Sequence, residues 1–195
     1  MKRGLLIVSL LALTLLITAC SSGALPLYEI ATPNGKFLGT EDAQVQIKLF
    51  SDYACPYCQK LDTETVPALV EKYGDQIQIE HKDFVVHQSA IVAHIAGNCA
   101  AEQNKLWPMT ELLFEHMNDW SMTDLTDYAN QAGLNEEEFL TCLNDPSIVE
   151  EIKLDLEDGQ ALGISGTPSM TINGELYVGF RKAKDLIPII DSYLI

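Results

Sequence analysis

Phe50-Ser51-Asp52-Tyr53-Ala54-Cys55-Pro56-Tyr57-Cys58 sets two cysteines three positions apart between an extended run and an amphipathic one. Before it runs Val45-Gln46-Ile47-Lys48-Leu49-Phe50, an extended apolar segment. After Cys55 an amphipathic stretch continues to about Tyr73. Two thiols at a strand-to-helix seam are suited to electron chemistry, because a helix N-terminus carries unpaired N–H groups and about half a positive charge. In that setting a cysteine pKa falls from about 8.5 into the range of about 3.5–7.5, which makes Cys55 the more acidic sulfur. Pro56 has no N–H to lose in the first helical turn, and with Tyr57 it opens the helix at the redox pair. Cys58, one turn on, is placed to close a ring with Cys55 or to resolve a mixed disulfide. The competing reading is half a zinc site, which needs a second pair at similar spacing. Cys99 and Cys142 stand too far apart to provide one, so no metal is expected.

The chain has 195 residues, enough for one ordinary domain, and 47% of them are hydrophobic, enough for a packed core. Its formal charge is −16. Removing residues 1–19 takes Lys2 and Arg3 with no acid, leaving 10 basic and 28 acidic residues, net −18. Such a surface repels phosphate backbones and excludes nucleic-acid binding.

Residues 1–19 read as an export signal, with Lys2-Arg3 ahead of an uncharged run from Leu5 to Ile17. Ile17-Thr18-Ala19-Cys20 resembles the lipobox of bacterial lipoproteins, in which the cysteine is lipidated and becomes the first mature residue. Cys20 is then the lipidation site, tying an acidic protein to a membrane through acyl chains. A plain cleaved signal or an uncleaved anchor helix is the alternative. Export implies an oxidising compartment. With Cys20 lipidated and Cys55 and Cys58 reactive, Cys99 and Cys142 are left over, and they are expected to form a structural disulfide. Two buried thiols that never meet are the alternative.

Residues 20–39 read as a tether leading to an edge strand, with Pro26, Pro33, Asn34 and Gly35 breaking any periodicity. Residues 40–195 form the domain. Val45–Phe50 is its first core strand, Pro67 is expected to kink the following helix, and Ile77–His81 alternates as a second strand. Helical segments follow near 89–103, 108–118, 124–132, 136–143 and 147–162, an inserted lobe of about 87–162. Asn135 ahead of three glutamates is a well-formed helix start. Met109, Met117 and Met122 read as core filler. His87 reads as a cap or surface residue, with His81 and His94 on other elements. Ser169–Ile172 and Glu175–Phe180 flank Asn173-Gly174, a strong hairpin signal. A last helix runs from about Lys182 to Tyr193, with Pro188 inside it. The result is an α/β domain with a helical lobe in its middle.

From about Gly39 onward this pattern resembles the thioredoxin fold, and within it the DsbA-like extracytoplasmic thiol–disulfide oxidoreductases, including the lipid-anchored BdbD type. The resemblance rests on residues 50–58, on His87, Ala90 and Lys105-Leu106-Trp107, and on Gly163-Ile164-Ser165-Gly166-Thr167-Pro168 before the hairpin. It implies a cis Thr167-Pro168 bond opposite the Cys pair, with the Thr167 backbone open to an extended substrate chain. Alone, the motif reads as an ordinary trans-proline turn. It also implies no cofactor, reduced or unfolded exported proteins as substrates, and a quinone-linked membrane reoxidant of the DsbB or VKOR type. The expected function is a membrane-tethered oxidase of exported proteins in the bacterial cell envelope, with a reductase or isomerase, or a chaperone-like binding module, as alternatives. Leu49 stands where many relatives carry a buried acid that accepts the resolving thiol's proton. Water, Asp52 or Lys48 could replace that acid, and no base is assigned.

Overall fold

The computed structural model describes residues 35–195. The expected export signal and Cys20 lie outside the described residues. A five-stranded sheet runs in the order β1-β3-β2-β4-β5, formed by β1 (Phe37–Gly39), β2 (Val45–Ser51), β3 (Ile77–Asp83), β4 (Ser169–Ile172) and β5 (Glu175–Val178). β2 and β3 are parallel, and every other pairing is antiparallel. A parallel pair needs a helical crossover. α1 (Pro56–Lys60) and α2 (Val66–Tyr73), joined by the π-helical turn Leu61–Thr65, provide it.

That turn is where the expected disturbance at Pro67 falls. Pro67 has no N–H to donate to the carbonyl of Thr63, and the chain widens before it, so Pro67 falls in the first turn of a new helix. Between β3 and β4 come α3 (Ile91–Glu102), α4 (Leu106–Glu115), α5 (Met122–Gln131), α6 (Glu136–Cys142) and α7 (Pro146–Ala161). α8 (Ala183–Tyr193) closes the chain. Asn135 caps α6 through its Oδ1, which accepts the Glu138 N–H at 3.1 Å.

β2 is buried along one face, and on the other only toward its C-terminal end. Val45, Ile47 and Leu49 pack on one face against Leu69 and Val70 of α2 and Leu186 and Ile190 of α8. Phe50 turns to the other face and meets Phe84 and Ile164. There α7 lies so close that a Cβ on Gly159 would stand 2.6 Å from the Phe84 ring. The lobe has its own core, built around Phe114, Trp120, Leu125, Phe139 and Ile152, and Tyr53, Cys55 and Cys58 belong to that cluster. The Cys pair therefore sits in the seam between lobe and sheet. Met109 is buried and Met117 packs against the lobe core, but Met122 is 59% exposed. Met122 is not core filler: it is the first residue of α5, where the chain has just entered the helix and the side chain points outward.

Polar groups pin the lobe to the sheet. Asp155 of α7 accepts from Lys36 at 3.1 Å, from Lys82 at 2.8 Å and from the Asp83 N–H at 3.1 Å. Asp83 in turn accepts from His94 Nδ1 at 2.6 Å and Asn98 Nδ2 at 2.7 Å. Burial alone would raise the Asp83 carboxyl, but the hydrogen bond and charge of His94, with smaller help from His81 and Lys36, hold it well below the usual carboxylate range.

Candidate redox site

The backbone fixes the two sulfurs before any side chain acts. Asp52 O accepts the Cys55 N–H at 3.0 Å, a tight turn that ends β2. Cys55 then takes the N-cap position of α1 with extended φ/ψ of −93° and 115°. Its carbonyl accepts from the N–H groups of Cys58 at 2.9 Å and Gln59 at 3.1 Å. Pro56 follows in the first turn, where its missing N–H costs nothing. Tyr57 projects outward, 62% exposed, with its ring 6.2 Å from that of Phe180.

The sulfurs are both free thiols and differ sharply. Hydrogen bonding from the Cys58 thiol, opposed by burial and aided by the Cys58 and Tyr57 N–H groups and the Thr167 side chain, lowers Cys55 to about 5. Cys58 is 1% exposed. Burial, together with donation toward Cys55, pushes its pKa far up, although the Asp52 N–H approaches its sulfur at 3.4 Å. One sulfur is built to be a thiolate and the other to keep its proton.

Thr167-Pro168 is cis, and the Cys55 thiol donates to the Thr167 carbonyl at 3.5 Å. Residues 112 positions apart are thus brought together across the top of the sheet. The Gly179 N–H donates to the Pro168 carbonyl at 2.9 Å, which ties the end of the hairpin to the same loop. Cys99 and Cys142 are bonded, S–S 2.00 Å, and join α3 to the end of α6 within the lobe.

Leu49 is buried in the apolar core and offers no proton acceptor. Lys48 is half exposed and pairs with Glu80 at 3.5 Å. The fully buried Asp52 carboxylate accepts from the N–H groups of Ala54, Val86 and His87 at 2.8, 2.6 and 2.8 Å, and lies 3.2 Å from His87 Nδ1. It is occupied in shaping the loop beneath Cys55. The His87 ring is half exposed at the surface, while His81 on β3 and His94 on α3 are both buried. Among the described residues no cluster of His, Cys, Asp or Glu could hold a metal ion.

Sequence reasoning passed over Asp62. It lies one helical turn past Cys58, is 5% exposed and has no cationic partner among the described residues. Burial, with the nearby Glu111 charge second, pushes its carboxyl up to about 7. The available signal was an acid at position i+4 from Cys58, on the same helical face.

A family model described as thioredoxin matches residues 31–192. Among solved structures, a thioredoxin-like oxidoreductase from Silicibacter pomeroyi DSS-3 is 25% identical, with a TM-score of 0.69 over 80% of this chain and 90% of that one. BdbD from Bacillus subtilis, in its oxidised form, is 20% identical with a TM-score of 0.73, covering 84% of this chain and 98% of that one. The thiol-disulfide exchange protein α-DsbA2 from Wolbachia pipientis is also 20% identical with a TM-score of 0.73, over 83% and 87%. Among curated proteins, a Na(+)/H(+) antiporter NhaA from Herminiimonas arsenicoxydans is 27% identical over 154 residues, 79% of this chain. The chain spans about a quarter of the length of that protein. With the cis-proline loop set against an N-terminal helix thiol and a family match over most of its length, the chain belongs to the thioredoxin family.

Proposed function

We propose that this chain is a thiol:disulfide oxidoreductase that acts outside the cytoplasm, held to a bacterial membrane by lipid on Cys20, and that it works as an oxidase of exported proteins. The reading rests on one observation above all: Cys55 is held low at about 5 while its buried partner Cys58 is pushed up.

In the oxidised enzyme a client thiolate attacks Cys55 Sγ, forming a client–Cys55 disulfide and breaking the Cys55–Cys58 bond. The electron pair leaves on Cys58, which takes a proton. A second client thiolate then attacks the client sulfur and releases oxidised client and the Cys55 thiolate. Two electrons have passed to the enzyme, with one proton taken up by Cys58 and Cys55 left as the thiolate. A stable Cys55 thiolate favours the reduced enzyme, so it makes the disulfide a stronger oxidant. The Thr167 backbone, beside Cys55, supports strand-like seating of the client. Electrons leave to a quinone-linked membrane partner of the DsbB or VKOR type. Antiport is named for proteins of which this chain spans about a quarter, and no part of it is assigned to this chain.

The test is the reduction potential of the Cys55–Cys58 couple in a glutathione redox buffer. A value well above thioredoxin's, about −270 mV, is expected. A value at or below it would turn the direction to reduction. A Cys58→Ala chain that traps no mixed disulfides would remove the exchange chemistry altogether.

A further inference from the structure

The chain is strongly acidic, yet among the described residues the unpaired positive charge is concentrated at one place. Of the ten Lys and Arg side chains among the described residues, six form ion pairs. The four that do not are Lys105, Arg181, Lys182 and Lys184, and the last three fall within four residues, all exposed. Helix stability does not explain them. Lys182 is the N-cap of α8 and Lys184 lies in its first turn, where the helix dipole disfavours cations.

Their position is tied to the redox site by contacts. Gly179 N–H donates to the Pro168 carbonyl at 2.9 Å, so the segment starts from the end of β5 beside the cis-proline loop. The Phe180 ring centroid lies 6.2 Å from that of the exposed Tyr57 and 5.3 Å from Lys60 Nζ. The Thr65 hydroxyl donates to the Arg181 carbonyl at 2.9 Å, fixing the backbone that carries the charges. The Arg181 guanidinium lies 5.8 Å over the Tyr177 ring. Asp185 is the one acid within residues 180–185. The forces that lower Cys55 are hydrogen bonds from its own turn and from Thr167, so these cations are not what ionises the thiol.

We infer that Arg181, Lys182 and Lys184, with Phe180 and Tyr57, form a cationic aromatic ledge that recognises acidic residues flanking the reacting cysteine of a client polypeptide. The inference rests on the thiol-exchange reading above and adds a client preference to it. The rest of the surface repels acidic segments, so the ledge sets where such a segment lands, beside Cys55. Its effect is short-ranged, since screening at about 0.1 M salt acts within about 10 Å.

The test uses the oxidised full chain and two peptides, each with one cysteine, flanked by glutamates in one and by lysines in the other. Rates of Cys55–Cys58 reduction are followed at low and at high salt and are divided by each peptide's own thiolate fraction, measured at the same pH and salt. The glutamate peptide should react about tenfold faster at low salt, with the advantage shrinking at high salt. In Arg181→Gln/Lys182→Gln/Lys184→Gln the two rates should converge, and in Lys182→Gln/Lys184→Gln the advantage should fall part of the way. Equal rates in the wild type, or an advantage that survives the triple substitution, overturn the ledge and leave thiol exchange standing. Failure of both peptides to reduce the disulfide overturns the exchange reading and the ledge with it.

Discussion

Replacing Cys58 by alanine tests how the reactive thiolate is made. The largest influence lowering Cys55 to about 5 is the hydrogen bond from the Cys58 thiol. A hydrogen bond to a charged group contributes about 1.5–3 kcal/mol, and one pKa unit corresponds to about 1.4 kcal/mol. Removing that donor should therefore raise Cys55 by about one to two units, into the range of about 6–7. The N–H groups of Cys58 and Tyr57 remain in Cys58→Ala, because the backbone of α1 does not depend on the side chain. The shift should thus stop short of an ordinary cysteine. The assay is the thiolate's ultraviolet absorbance against pH in reduced protein, checked by alkylation rate. At pH 7 the wild-type Cys55 should be about 99% thiolate, against about 3% for a free cysteine. An unchanged titration in Cys58→Ala would show that the helix amides alone hold the charge. A wild-type midpoint above about 8 would refute the whole account of the site.

Asp62→Asn should stabilise the protein by on the order of 2 kcal/mol at pH 8, because the wild type must ionise a buried carboxyl there and the amide keeps only part of the desolvation cost. The unfolded chain loses this proton near pH 4 and the folded chain near pH 7, so wild-type stability should fall as pH rises through that window while the variant stays flatter; parallel urea profiles would contradict this. Opening the lobe's disulfide with Cys99→Ala/Cys142→Ala should cost about 4 kcal/mol for a closed loop spanning 43 positions, read from urea midpoints against the wild type. Gly159→Ala should cost about 1–3 kcal/mol by pushing the Phe84 ring away from Phe50, and a neutral effect on thermal unfolding would show that α7 can move freely.

Much of this architecture was legible because its signals are local. An extended apolar run marked β2, alternation marked β3, Asn173-Gly174 marked the β4–β5 turn, and breakers bounded the lobe helices. The Cys pair announced the site because a redox disulfide and a helix start need neighbouring residues. What stayed hidden depends on contacts between distant segments. The π-helical turn before Pro67 has no residue signature of its own, only the lost donor that a widened turn accommodates. Met122 looked like core by type, and its place at the start of α5 decided otherwise. The role of Asp52 depends on Val86 and His87, more than thirty residues on, which donate their N–H groups to its carboxylate. Asp62 was unremarkable until the lobe covered it, since its raised pKa comes from burial rather than from a neighbour in sequence.

The bond between Cys99 and Cys142 has a bearing on how the molecule comes into being. Cys99 has no solvent exposure, being enclosed by the lobe's own packing. Its sulfur must be oxidised before or while that packing closes. On the oxidase reading proposed above, a newly made copy is a client first and a catalyst afterwards, and the first supply of finished protein depends on oxidising equivalents from some earlier source, a mature sibling included.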